Sequence, residues 1–258
     1  PLGARGFFRR PPGCGVLDAP ARTRLGWAML PTLFIPGLAC TPDLFTPQIA
    51  ALWPHGPVMV ASTLVGRTMG EIAAAVLTDA PPRFALAGLS MGGYISLEIM
   101  RQAPGRVTRL ALLDTSARPD TPEQSEARRL LVTRARNGDF DGVLAETAPN
   151  LLHPDHRDDP TLLGLQARMG LAVGPEAYAR QQAAIIGRID SRPHLVGIAV
   201  PTLVLVGDQD GVTPPDRAAE MATAIPGARL EIVAGAGHLS TLEQPDAVND
   251  ALSAWLAM

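Results

Sequence analysis

Short apolar runs, each closed by glycine, proline or a charged residue, recur along most of this chain, and the intervals between them carry apolar residues at helical spacing. The runs at 30–35, 58–62, 83–87, 107–113, 201–207 and 229–233 are short and rich in Leu, Val, Ile and Ala, so they read as strands. Between them, 43–53, 69–78, the segment from Gly93 to about Gln102, 215–224 and 245–256 read as helices, the second stopping before Pro81-Pro82. Strands and helices alternating at this pace call for parallel pairing and right-handed crossovers. The expected fold is α/β, with a mostly parallel central sheet flanked by helices.

The alternation breaks between Thr115 and about Arg192. This stretch lacks strand-like runs, is rich in Ala, Arg, Leu and Gln, and is punctuated by Asn137-Gly138, Pro149, Pro154, Pro160 and Gly174-Pro175. It reads as several short helices, of which 122–135 and 175–186 are the best defined. A helical insertion that follows a strand is placed to cover the end of the sheet as a lid. The expected organisation is a core domain of 29–114 and 193–258 with a helical cap at 115–192. Residues 1–28 show neither period and are rich in Pro, Gly and Arg, which predicts a disordered or non-native extension with Met29 as the natural start.

Composition narrows the range of functions. A chain of 258 residues, 47% hydrophobic and 18% charged, is long enough for one α/β domain with a sizeable core. A net charge of −3 gives no electrostatic reason to expect nucleic acid or an anionic membrane as partner, and all 22 basic residues are arginine. Cys14 and Cys40 are too few for a disulfide framework, and nothing near them has metal-ligand spacing. No apolar run reaches membrane-spanning length, and the arginine-bearing first residues lack the apolar centre of a secretory signal, so the expected location is the cytoplasm. Monomer and homodimer both remain open.

Chemistry concentrates at Gly88-Leu89-Ser90-Met91-Gly92, which lies between a strand and a helix. In so tight a turn the central residue is strained, small neighbours let strand and helix approach, and the serine hydroxyl is presented at the sheet's end. A serine hydroxyl is a poor nucleophile at neutral pH and needs a base, itself oriented by an acid. Of five histidines, His238 follows the last strand in the glycine-rich loop Ala234-Gly235-Ala236-Gly237-His238, which is free to return an imidazole to that end; His55, His153, His156 and His194 read as surface or packing residues. Gly207-Asp208-Gln209-Asp210 ends another strand and offers the acid. Asp210 is preferred because the turn carries the later carboxylate further, with Asp208 and the strand-ending Asp114 as alternatives.

With these motifs in hand, the chain from about Leu30 onward resembles the α/β-hydrolase fold superfamily, specifically its small esterase-like members. The resemblance rests on Ile35-Pro36-Gly37-Leu38, Gly88-Leu89-Ser90-Met91-Gly92-Gly93, Gly207-Asp208-Gln209-Asp210 with Pro214, and Gly237-His238-Leu239 followed by Glu243-Gln244-Pro245. It departs at Pro36, where relatives commonly carry His. The order Ser90, Asp210, His238 matches the order expected of that family. The resemblance implies a cap inserted after the sixth strand in the fold's own count, and an oxyanion hole made by the backbone N–H groups of Leu38 and Met91. It also implies acyl transfer through Ser90 with no metal or organic cofactor.

A carboxylesterase acting on small to medium apolar esters is the expected activity, the partner being the small-molecule substrate alone. C–C bond hydrolases, lactonases and thioesterases use the same triad. A non-catalytic ligand receptor is the competing class, disfavoured because a binding module has no need of the full relay. The expected pocket includes Gly37, Leu151, Leu152, His153 and Leu239. The cap shows no obvious arginine cluster for an acidic substrate, although Arg134, Arg168 and Arg180 have no assigned place.

Overall fold

The computed structural model describes residues 30–258; the extension at 1–28, Met29 and Cys14 lie outside the described residues. Strands β1 (Thr32–Ile35), β2 (Val58–Val60), β3 (Phe84–Leu89), β4 (Val107–Leu113), β5 (Thr202–Gly207) and β6 (Arg229–Val233) form one sheet in the order β2-β1-β3-β4-β5-β6. Every neighbouring pair is parallel. The helices of the first half are α1 (Thr46–Leu52), α2 (Met69–Asp79) and α3 (Met91–Gln102). The insertion after β4 contributes α4 (Pro122–Arg136), α5 (Phe140–Thr147), α6 (Pro160–Val173) and α7 (Pro175–Ile186). The second half adds α8 (Arg192–Leu195), α9 (Pro215–Ala224), α10 (Ser240–Glu243) and α11 (Pro245–Leu256).

Proline opens many of these helices because the first helical position has no acceptor for an N–H and the ring presets φ. Pro122, Pro160, Pro175, Pro215 and Pro245 all stand at helix starts. Thr121 and Gln124 close a reciprocal capping box at α4, and Asp159 accepts the Thr161 and Leu162 amides at α6.

Strand residues alternate between two apolar layers, as the pleat requires. Leu33, Ile35, Leu86, Leu110, Leu112, Val204 and Val206 pack against Ile72, Ile95, Ile99 and Met221 of α2, α3 and α9. Phe34, Ala87, Leu89, Ala111, Leu113, Leu203 and Leu205 pack against Leu52 of α1 and Val248, Leu252 and Trp255 of α11. Each such large side chain taken fully from water contributes about 1.5–3 kcal/mol. The insertion has a small core of its own, Ala135, Phe140, Val143 and Tyr178, and sits at the C-terminal end of the strands.

Several expected elements differ in detail: β3 runs on to Leu89 and α3 begins already at Met91. β1 begins at Thr32 rather than Leu30, because Pro31 has no N–H to offer a ladder, although its carbonyl accepts the Ala85 amide at 2.9 Å. The stretch 43–53 is broken into a 3₁₀ turn at Pro42–Phe45, α1, and a second 3₁₀ turn at Trp53–His55, with Pro42, Pro47 and Pro54 interrupting a continuous ladder. β2 ends at Val60 and pairs with β1 alone.

Candidate active site

Strand order changes direction between β1 and β3, so the loops leaving their C-terminal ends diverge and open a crevice. Ser90 lies at that point, between β3 and α3, with φ 57 and ψ −117. Its left-handed backbone stores about 1–3 kcal/mol of strain. The surrounding bonds hold it there: the Ser90 amide donates to Leu113 O at 2.9 Å, and Thr115 Oγ1 donates to Ser90 O at 2.8 Å. The turn closes only with a small residue two positions on, since a Cβ on Gly92 would lie 2.0 Å from Ile35 O. The other non-glycine residues with positive φ among those described, Ala39 and Asp114, sit just past β1 and at the end of β4, so the backbone strain gathers at one end of the sheet.

The structure brings Ser90, His238 and Asp210 together. His238 Nε2 is 2.8 Å from Ser90 Oγ, and His238 Nδ1 is 2.8 Å from Asp210 Oδ2. Asp210 Oδ1 accepts the amides of Val212 and Thr213 at 2.8 and 2.9 Å, and Oδ2 also accepts Thr213 Oγ1 at 2.7 Å. A carboxylate surrounded by donors acts as acceptor, so Nδ1 carries the imidazole proton and Nε2 is left to accept from the serine. Burial opposes ionisation of Asp210, but the His238 charge and hydrogen bond and the Thr213 donors outweigh it and bring its carboxyl down to about 2. Burial likewise pushes His238 down, while the charge and hydrogen bond of Asp210, assisted by Glu243, win and raise it above the ordinary imidazole value.

The two alternative acids are engaged elsewhere. Asp208 Oδ1 accepts the amides of Gly235 and Ala236 at 2.9 and 3.3 Å and shapes the loop that leads to His238. Asp114 is fully buried, accepts the Gly207 amide at 2.9 Å and Ser240 Oγ at 2.5 Å, and is raised to about 8 by burial first and then by the charge of Asp210. Cys40 lies beside the site with its thiol donating to Leu38 O at 3.3 Å, and burial pushes it up to about 12, leaving it protonated and a poor nucleophile at neutral pH.

Met91 is the first residue of α3, so its amide has no acceptor within the helix and points from the positive end of the dipole. A Cβ on Gly37 would lie 3.5 Å from the Cβ of Ser90, which brings the Gly37-Leu38 backbone alongside the serine. These are the positions from which two amides can meet an oxyanion.

Ser90 and His238 open on a cavity of about 190 Å³ between the sheet and the helices inserted after β4. Gly37, Leu38, Leu151 and Leu239 line it, with Leu131, Leu144, Met169 and Ile185 making most of the remaining wall apolar. Leu152 and His153, expected in the pocket, are not there. Leu152 turns into the core beneath, and His153 caps the next turn by accepting the Asp155 amide on its Nδ1 at 3.1 Å. Tyr94 and Tyr178 also reach the cavity wall. So does Arg128, which sequence reasoning passed over; its signal was its place at helical spacing with the inward-facing Ser125 and Ala135 of α4.

The inserted helical segment is bound to the rest of the fold on two sides. Gln181 of α7 accepts the Ala39 amide at 3.0 Å and donates to Thr63 Oγ1 at 3.0 Å. On the other side the His238 amide donates to Leu151 O at 2.8 Å.

A family model described as the alpha/beta hydrolase fold matches residues 80–245. The chain belongs to the alpha/beta-hydrolase family. Among curated relatives, a 3-oxoadipate enol-lactonase of Acinetobacter baylyi is 29% identical over 174 residues, spanning 67% of this chain and 63% of that protein's length. Among solved structures, a thermophilic esterase from Thermogutta terrifontis superposes with a TM-score of 0.80 at 31% identity, covering 88% of this chain and 89% of that one. The enol-lactonase from Burkholderia xenovorans LB400 gives 0.78 at 27% identity, with 89% and 92% covered. No helix among the described residues is long and apolar enough to cross a membrane.

Proposed function

We propose that this alpha/beta hydrolase is a carboxylesterase-type serine hydrolase that cleaves small to medium esters through an acyl-enzyme, with Ser90 as nucleophile, His238 as base and acid, and Asp210 as its orienting partner. The observation that carries this reading is the unbroken 2.8 Å and 2.8 Å relay from Ser90 through His238 to Asp210, opening on a mainly apolar cavity. Ser90 Oγ attacks the ester carbonyl carbon as its proton passes to His238 Nε2. The negative oxygen that forms is met by the amides of Leu38 and Met91, each donor contributing about 3–4 kcal/mol to the transition state. As the C–O bond breaks, the imidazolium returns its proton to the departing alcohol. Water then repeats the two steps on the acyl-enzyme and releases the acid.

The names of the similar proteins support esters and lactones together, since an esterase and two enol-lactonases are among them. Ring opening of a lactone uses the same steps with the leaving alcohol still tethered to the acyl group. The test is a hydrolysis panel of p-nitrophenyl esters of increasing acyl length, a lactone, a thioester and a vinylogous diketone, run with wild type beside Ser90→Ala. Ester or lactone turnover lost in the variant supports the proposal. Activity confined to the diketone moves the assignment to C–C hydrolysis, and absence of turnover throughout favours a ligand receptor on the same fold.

A further inference from the structure

Arg128 introduces a charge into an otherwise apolar cavity wall. Its Nε donates to Asp120 Oδ2 at 2.7 Å and its Nη1 to Gln182 Oε1 at 2.9 Å. The Asp120 carboxylate, whose side chain is 1% exposed, is shared: Arg188 Nη1 donates to its Oδ1 at 2.6 Å. Two guanidinium groups therefore rest on one carboxylate, leaving one unit of positive charge without an ion-pair partner among the described residues. Arg188 is consumed by the protein, donating also to Arg118 O and Ile185 O and stacking at 4.3 Å on the Tyr94 ring. Arg128 is not. Of its five N–H donors two are used among the described residues, and it is Arg128 that lines the cavity.

A second, independent observation points the same way. Gln166 of α6 lines the same cavity, is 8% exposed, and its Nε2 is buried with no hydrogen-bond partner among the described residues. An unpartnered amide of this kind has lost the hydrogen bonds water would give it, and a ligand oxygen would restore one. Tyr178, whose hydroxyl accepts from Gln182 Nε2 at 2.8 Å, keeps its own O–H free to donate at the same wall. Donors in excess, net positive charge and shelter from water together describe a seat for an anion.

Resting on the serine-hydrolase reading, we infer that the substrate is an ester or lactone carrying a free carboxylate, with the scissile carbonyl at Ser90 and the carboxylate on Arg128, assisted by Gln166 and Tyr178. The apolar residues between the two ends would then hold the intervening carbon chain. Arg128 is in this account a specificity-determining residue.

The test compares matched pairs: monoethyl succinate, glutarate and adipate, each against the neutral ethyl ester in which isopropyl replaces the carboxylate, and acetyl esters of hydroxy acids against their neutral counterparts. For wild type, kcat/KM for the acidic member of at least one series exceeds the neutral member by about 10–100-fold, mostly through KM, and glutarate inhibits neutral-ester turnover competitively. In Arg128→Gln that ratio falls at least about tenfold, Arg128→Lys retains part of it, and Gln166→Met lowers it. A wild-type ratio near one in both series, or a ratio that survives Arg128→Gln, overturns the inference, and the first of these needs no variant to fold. Neutral-ester turnover that disappears in Ser90→Ala keeps the serine-hydrolase reading standing whichever way the ratio falls.

Discussion

The carboxylate of Glu243 accepts the backbone amide of His153 at 2.6 Å, across a sequence separation of 90 residues, and so ties the segment inserted after β4 to the loop that carries His238. The same side chain, fully shielded from solvent, accepts the amides of Gly237 at 2.9 Å and Leu239 at 3.3 Å and the His156 ring at 3.0 Å. The residues on either side of His238 are thus fixed by one acidic group that never touches the reacting atoms. The approach is close enough that a Cβ on Gly237 would lie 2.5 Å from His153 N.

Glu243 is accordingly a positioning residue. Glu243→Gln replaces two acceptor oxygens by one oxygen and one NH₂ that must face a backbone N–H, which is expected to cost about 2–4 kcal/mol. Tm should fall by roughly 5–12 °C, and kcat should drop more than KM rises. Gly237→Ala should do the same by wedging the cap from the His238 loop. Unchanged melting and unchanged kcat in both variants would contradict this assignment.

In the proposed mechanism His238 acts as the base, which sets the sign of the pH dependence. Only the neutral imidazole accepts the serine proton, and its pKa lies above the ordinary value, so kcat/KM should rise with pH through a midpoint above about 6.5. Asp210→Asn removes the largest influence holding that value up. Its rising limb should move to lower pH while kcat falls by roughly 10³–10⁴. A pH–rate profile with the limb below the ordinary imidazole range in wild type would refute the arrangement.

Asp114 and Asp210 act oppositely on stability. Asp114 stays protonated in the folded protein up to about 8, whereas unfolded it ionises near 3.8, so its contribution to stability is lost progressively as pH rises between these values. Asp210, held at about 2, stabilises above 3.8 and loses that contribution as pH falls towards 2. Asp114→Asn should flatten the decline in stability from pH 4 to 8, and Asp210→Asn should flatten the acid limb. Urea unfolding across pH measures both, and parallel curves for Asp114→Asn and wild type would be the failing result.

Much of this architecture is legible in the chain because the local signals agree with one another. β4, α7, α9, β6 and α11 have the bounds expected from periodicity and from the proline or glycine at their ends. Ser90, His238 and Asp210 are also local features, each just past a strand, and parallel pairing delivers all three to one end of the sheet. The cavity wall is different, since it is assembled by helices whose seating on the core depends on partners such as Gln181 and Ala39, 142 residues apart. No short-range pattern reports that seating, which is why Leu152 and His153 were expected in the wall and Arg128 was not. The buried pairing of Asp120 with two arginines is invisible for the same reason, because Arg188 reaches it from 68 residues away.

In the proposed mechanism Ser90 is acylated and deacylated in each turnover. The most direct measurement is intact-protein mass spectrometry on rapidly quenched samples during hydrolysis of a p-nitrophenyl ester, with the modified residue located by peptide fragmentation, for wild type and Ser90→Ala. A transient mass increase of one acyl group on Ser90 is expected, formed with the first equivalent of nitrophenol and absent, together with turnover, in Ser90→Ala. Full turnover by Ser90→Ala, or an acyl group carried on another residue, would contradict it.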